Sequence, residues 1–194
     1  WSMQGDSLTL DPHAQNEGPT TQVSRQVYEA LVQRGLDMKI GPALAKSWKA
    51  TDPNTWVFTL REDVKFSDGS KMTSEDVVFS VLRAKQRTSD FKEYISTISG
   101  VEAVGDYSVK IITSKPNPIL LNQLSNIFIM SKKWSEENFA MSPQNWDAGQ
   151  ETFSATNALG TGPFKITLRE PNTKTVFKRN KHWWGEMKDK KVTQ

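Results

Sequence analysis

Two histidines, His13 and His182, stand far apart in a chain of 194 residues that has no cysteine. With no compact set of ligands beside them they make a poor metal site, and thiolate chemistry is excluded. His13 reads as satisfying a turn carbonyl, and His182 as sitting at an aromatic surface. Serines and aspartates are present, but no nucleophile-elbow sequence orders them for hydrolysis. Glu75-Asp76 and Glu136-Glu137 are neighbours in sequence, and on a helix neighbours point in different directions, which makes them a poor acid/base pair. Gly160-Thr161-Gly162-Pro163 lacks the lysine and hydroxyl of a phosphate-binding loop and reads as a tight backbone turn. The expectation is therefore no catalytic residue, no metal and no cofactor. What remains with binding chemistry is the aromatic set: seven Trp, nine Phe and three Tyr. Phe91, Tyr94, Trp146, Trp183 and Trp184 lie near irregular segments, where such side chains serve either as a ligand wall or as structure. Aromatic surfaces can hold peptides or sugars by apolar contact while polar loops satisfy the ligand's other groups.

The elements that must position these residues centre on Trp48 to Leu82. Trp56, Phe58 and Leu60 alternate with Val57, Thr59 and Arg61, the period of a strand with one face on a core. Asp52-Pro53-Asn54 before it and Asp68-Gly69 after it are turn signals. Thr73 with Asp76 three residues on forms a shortened capping box, and Val77, Val78, Val81 and Leu82 follow at helical spacing. Arg83, Lys85 and Arg87 near the carboxyl end of that helix read as solvent-exposed charges. Trp48, Trp56, Phe58, Phe66 and Phe79 read as core. Upstream, Trp1, Met3, Leu8 and Leu10 suggest strand material, interrupted at Gly5-Asp6 and closed by the turn Asp11-Pro12-His13. A polar loop over Ala14–Thr20 then leads to a helix over Thr21–Arg34, with Val23, Val27, Leu31, Tyr28 and Val32 on its apolar face and Gly35 as its stop. That loop before a helix start reads either as a ligand rim or as an ordinary connection.

Downstream, a short helix is expected around Phe91–Ile98. A hairpin is expected from Val101–Val104 and Tyr107–Thr113 around Gly105-Asp106. A short helix over Ile119–Leu124, a buried strand over Ile127–Met130 and one helical turn over Ser135–Asn138 come next. An irregular or partly mobile stretch spans Ser142–Ala158. A last hairpin pairs Phe164–Leu168 with Thr175–Phe177 through Glu170-Pro171-Asn172.

Composition narrows the partners. Lys and Arg total 25 against 22 Asp and Glu, a formal charge of +3. No long basic run occurs before Lys188–Lys191, so a nucleic-acid partner is not expected. No apolar run approaches the roughly 18–20 residues that span a bilayer. Absent cysteine is compatible with an oxidising compartment. The opening WSMQGD has no basic or apolar leader, which means either no signal peptide or one removed. Both ends read as cut from a longer chain.

Several motifs, in order, resemble one family. They are LDPH at Leu10–His13, RQVYEALV at Arg25–Val32, PALAKSW at Pro42–Trp48 and TWVFTLREDVKFSDG at Thr55–Gly69. TSEDVVFSV at Thr73–Val81, GTGPFKI at Gly160–Ile166 and FKRNKHWWG at Phe177–Gly185 complete the set. The chain resembles the amino-terminal part of the family 5 bacterial extracellular solute-binding proteins, the peptide/nickel/opine type that serves ABC importers. The resemblance implies an α/β fold of the periplasmic-binding-protein type II kind. It implies a first lobe carrying an inserted mixed α+β subdomain, with the second lobe outside this chain. The implied division is 1–33 as the start of lobe one, 34–158 as the extra subdomain and 159–194 as the return into lobe one.

The implied function is capture of a peptide, opine or sugar-like solute by lobe closure, without enzymatic chemistry, and delivery to a pair of ABC permeases. The implied location is the periplasm, or the cell surface as a lipoprotein in a Gram-positive source. The loop after LDPH reaches ligand in oligopeptide-binding relatives and corresponds here to Asn16, Glu17 and Gly18, with Asn16 where some relatives carry an acid. An aromatic after the capped helix lines some pockets, and its counterpart is Phe91 or Tyr94. The rival readings are an extracytoplasmic peptide receptor or chaperone without uptake, and a periplasmic hydrolase.

Overall fold

A computed structural model describes residues 5–185. In chain order the elements are α1 (Gly18–Val27), β1 (Val32–Arg34), β2 (Ile40–Pro42), β3 (Ala45–Asp52), β4 (Thr55–Leu60) and α2 (Ser74–Ala84). They continue with β5 (Ile98–Ala103), β6 (Ser108–Thr113), α3 (Leu120–Leu124), α4 (Lys132–Glu137), α5 (Phe153–Thr156), β7 (Phe164–Glu170) and β8 (Lys174–Arg179). The centre is a four-stranded antiparallel sheet in the order β3-β4-β6-β5. Its inner pair β4·β6 runs in unbroken register from Thr55↔Ile112 to Thr59↔Ser108. All three register shifts in this sheet fall on pairings of the outer strands, two along β3 and one in β5.

The expected alternation appears where it was read. Phe58 and Leu60 on β4 and Val109 and Ile111 on β6 are fully buried and face α2, which contributes Val77, Val81 and Ala84 to the same core. Trp48 and Trp56 lie partly buried at its margin, while Phe66 is inside it and Phe79 joins a second cluster with Tyr28, Phe128 and Met130. The helix start is capped as its residues predict. The Thr73 amide donates to Asp76 Oδ2 at 2.8 Å. The other oxygen of Asp76 takes the amide of Lys132 at 2.9 Å, so one carboxylate fixes both α2 and α4. Burial raises the Asp76 pKa, against the lowering effect of those amide bonds. Gly69 holds φ +98° in the Asp68-Gly69 turn, and the ring of His182 lies over it.

Several local expectations are corrected. The helix expected over Thr21–Arg34 is α1, shifted forward and ended at Val27. It begins early because the Glu17 carboxylate caps it by accepting the Thr20 amide at 3.2 Å, with Pro19 in its first turn. It ends early because neighbouring segments claim its next carbonyls. Gly162 donates to Val27 O at 2.8 Å, Ile129 to Glu29 O at 2.9 Å and Ala45 to Leu31 O at 2.9 Å. Tyr28 is already extended, at φ −112° and ψ 157°. The consecutive burial of Ala30, Leu31 and Val32 belongs to extended chain covered on both sides, which helical periodicity cannot distinguish over so short a run. Gly35 therefore turns the β1–β2 hairpin, with its amide on Lys39 O at 2.8 Å.

Residues Phe91–Thr97 form successive turns in place of a helix, and β5 begins at Ile98. Ile127–Met130 is buried as expected but makes only the isolated bridge Ala30↔Phe128, because its other edge faces side chains such as Ser80. Leu8 and Leu10 lie in bends and make no strand ladder, the Leu8 amide donating to Thr20 Oγ1 at 2.9 Å and the Leu10 amide to Ala155 O at 2.9 Å. The reading of Trp1 and Met3 as strand lies outside the described residues. Among the described residues no helix is long and apolar enough to cross a membrane.

Candidate functional site

The loop that follows Leu10 is shaped by its own side chains. Thr9 Oγ1 accepts the Asp11 amide at 3.1 Å, and Asp11 Oδ1 accepts the His13 amide at 3.0 Å, closing the expected turn. The same carboxylate meets Arg83 from the last turn of α2 in a two-armed pair, Nη1 to Oδ1 at 2.8 Å and Nη2 to Oδ2 at 2.6 Å. Both side chains have 0% exposure. Arg83 spends all five of its N–H groups here. The other three go to His13 Nδ1 at 3.1 Å, Ala140 O at 3.0 Å and Ser142 O at 2.9 Å. Asp11 Oδ2 additionally accepts the Gln144 amide at 3.0 Å and Ser154 Oγ at 2.9 Å. Because Arg83 donates to His13 Nδ1, the proton of that ring sits on Nε2, which donates to Phe128 O at 2.9 Å. A fully paired buried charge network of this kind is costly to desolvate and unforgiving once a partner is removed.

The electrostatics follow from the same geometry. Burial pushes the Asp11 carboxyl up, but the adjacent Arg83 charge and the bonds it makes prevail and hold it down at about 2. Burial pushes His13 down, and Arg83 pushes it the same way, to about 3, so the ring stays neutral. The pH dependence of stability has the same sign for the two groups but a different window for each. His13 binds its proton in the unfolded chain from about pH 6.5 downward, long before the folded chain does. Its contribution is therefore full above pH 6.5 and erodes as pH falls toward 3. The Asp11 contribution is present above about pH 3.9 and is lost only as pH falls through about 2. Of these two groups only His13 is in play between pH 7 and pH 5, and it should remove about 2 kcal/mol of unfolding free energy. Urea titrations at the two pH values check this. His13→Gln, whose amide can donate to Phe128 O and accept from Arg83, should flatten that difference.

Three loops are seated on this clamp: 13–18 through Asp11 and His13, 86–94 through α2, and 140–150 through the carbonyls and amide that Arg83 and Asp11 hold. The first two are also stitched directly, Asp90 N donating to His13 O at 3.2 Å. Structure therefore brings the two expected site stretches together, which sequence separation hides. Asn16 and Gly18 are exposed on the rim, and a Cβ on Gly18 would meet nothing within 4 Å. Glu17 is partly turned inward as the α1 cap. One of its oxygens bonds Thr20, and Oε2 has no partner. Phe91 is buried in the main core, 6.4 Å edge-on from the His13 ring, and stacks obliquely on Tyr94 at 5.8 Å. Of the pair left open by sequence, Tyr94 is the exposed ring. Trp146 is the second exposed aromatic on these loops.

Trp183 and Trp184 stand elsewhere. Their indole N–H groups donate to Glu29 Oε1 at 3.1 Å and Oε2 at 3.0 Å, while Thr161 Oγ1 adds a bond at 2.9 Å. Arg61 lies 4.1 Å over the Trp184 ring. Burial raises the Glu29 pKa, partly offset by these bonds. Glu29 thus joins the end of α1, the Gly160–Pro163 turn and the segment after β8. Glu29 was not singled out from sequence. Arg83 was read as a solvated charge because a cation in the last turn of a helix is ordinarily one, whereas it is fully buried.

Comparison with known proteins identifies the family. The family model for bacterial extracellular solute-binding proteins, family 5 Middle, matches residues 39–193. The periplasmic murein peptide-binding protein MppA of Escherichia coli is 28% identical over 96% of this chain and 36% of its own length. The nickel-binding periplasmic protein of the same organism is 32% identical over 91% of this chain and 33% of its own. The structure of the binding protein AgaA from A. tumefaciens R10, in complex with agropinic acid, superposes with a TM-score of 0.82 at 26% identity. That match covers 94% of this chain and 35% of AgaA. The chain spans about a third of the length of these relatives. Its α/β architecture is that of part of a type II periplasmic binding protein, consistent with one lobe. The chain belongs to the bacterial extracellular solute-binding proteins of family 5.

Proposed function

We propose that these residues form one wall of a solute trap that works outside the cytoplasm and hands its cargo to an ABC permease pair. The solute is a peptide, an opine or a sugar-like compound, held by closure of a second lobe and released unchanged. The division proposed is a start of lobe one at 1–33, an extra subdomain at 34–158 and a return into lobe one at 159–194. The observation that carries the reading is the convergence of loops 13–18 and 86–94 on one rigid buried clamp. Asn16, Glu17 and Gly18 supply polar groups, Tyr94 supplies an exposed ring, and Phe91 backs that ring from the core. A rim on a rigid base suits capture, because little ordering entropy is left to lose when ligand arrives. Closure would exchange ligand hydration for aromatic packing and directed polar contacts, and would shift the hinge equilibrium by the difference in affinity for the two states.

The test is calorimetry on the full-length protein with peptides, opines and oligosaccharides, followed by recovery of the ligand. Tight binding in one class with unchanged ligand is expected. No binding in any class, or conversion of the ligand, would count against capture. Within a responsive class, Tyr94→Ala should weaken binding about ten-fold through loss of a ring at the rim. An unchanged affinity would remove Tyr94 from the site.

A further inference from the structure

Beside the rim, the turn after α2 and the loop over 145–147 enclose a small polar pocket of about 70 Å³, faced by Arg87, Asp90, Lys92, Asn145, Trp146 and Asp147. We propose that this pocket takes a zwitterionic group, an ammonium and a carboxylate carried close together as in an α-amino-acid head. The inference rests on the solute-capture reading and names the chemistry of one end of the solute.

The charges are the first reason. Two cations and two carboxylates line the same small space. Among the described residues none of the four forms an ion pair, although other exposed acids and bases of the chain do so. The Lys92 ammonium has only the Ser89 carbonyl, at 3.0 Å. An occupant of one sign would press against like charges on one wall, and a neutral one would strip water from all four. A group bearing both signs answers both walls with charge-assisted bonds. The volume admits roughly two water-sized groups, taking about 30 Å³ for each, which suits such a head and not a whole solute. Trp146, 38% exposed, offers an apolar face for the carbon that joins the two charges.

Anchoring is the second reason. Asp90 is held through its own amide to His13 O, and the facing loop through the Gln144 amide to Asp11. Both walls thus hang on the same buried carboxylate or its neighbour two residues away. Ser89 Oγ, itself buried, accepts the Phe91 amide at 3.0 Å and fixes the turn that carries Asp90 and Lys92. The charges are presented on a braced frame, whereas ordinary surface charges ride on mobile stems.

The experiment uses full-length protein labelled with 15N and follows the Trp146 indole signal, assigned with Trp146→Phe. Glycine is the probe, with glycinamide carrying only the positive charge and N-acetylglycine only the negative one. Glycine should give a saturable millimolar shift, and each single-charge analogue should bind at least about five-fold more weakly. Asp90→Asn and Arg87→Gln, with unchanged urea midpoints, should each weaken glycine by a similar factor. A silent indole, or analogues that match glycine, would overturn the proposal. The capture reading is scored separately. If a captured solute binds equally to wild type and to both variants, the pocket assignment fails and capture stands. If glycine titrates this indole while no solute class binds, the pocket stands and capture fails.

Discussion

Arg83→Met is expected to lower the unfolding free energy by roughly 3–5 kcal/mol, a large share of the roughly 5–15 kcal/mol that keeps a typical domain folded. The cause is what stays behind. Asp11, with no exposed surface, keeps its amide and hydroxyl bonds but loses both guanidinium arms, and the carbonyls of Ala140 and Ser142 lose their donors. Arg83→Lys should recover little, since an ammonium has three donors and no planar fork to serve five acceptors on two segments. The double variant Asp11→Asn/Arg83→Met should cost clearly less than the two single losses added together, because removing the charge from both sides leaves no uncompensated ion. Urea denaturation of the full-length protein gives all four values. A loss under about 1 kcal/mol for Arg83→Met would mean that water reaches the pair and that the clamp does not hold the three loops.

Gly160→Ala is the second large effect, expected at about 3 kcal/mol or more, with poor recovery of folded protein. Gly160 and Gly162 cross directly over the point where α1 ends. A Cβ on Gly160 would overlap the carbonyl oxygen of Val27, and one on Gly162 would lie 2.7 Å from both atoms of that carbonyl. The obstacle is backbone, pinned by the bond from Gly162 N to Val27 O at 2.8 Å, and it cannot rotate away as a side chain would. Gly18→Ala is the contrasting substitution, with open space around its Cβ and a helix start to favour it. It should change stability by no more than about 1 kcal/mol. Thermal unfolding of both variants checks the pair, and similar losses at the two positions would refute the steric argument.

How much of this was legible in the sequence depends on the range of the interactions involved. The β4 strand, the Thr73–Asp76 cap, the Asp68-Gly69 turn and the two later hairpins are set by residues within a few positions of one another. Alternation and turn chemistry report them directly. The end of α1 is set from Gly162, Ile129 and Ala45, all distant in sequence, and so the same apolar spacing was read as a longer helix. The site divides in the same way. Family resemblance drew attention to residues 16–18 and to Phe91 or Tyr94, and the bond from Asp90 to His13 explains why those stretches adjoin. Arg83 was read as a solvated helix-end charge because its partner Asp11 is 72 residues away. His13 was assigned a turn carbonyl. It does bond a carbonyl, but that of Phe128, across the core.

The distribution of register shifts has a consequence for a chain that must avoid polymerising with its own kind. Strands β3 and β5 each leave one row of backbone groups without a ladder partner in the sheet, an open invitation to a second molecule. Both carry the sheet's irregularities, and β3 adds Lys46 and Lys49 along its length. A neighbour approaching either side would meet a bent template and, at β3, repelling ammonium groups. Straightening β3 and replacing its lysines with threonine should leave the core intact while raising the tendency to form fibrils.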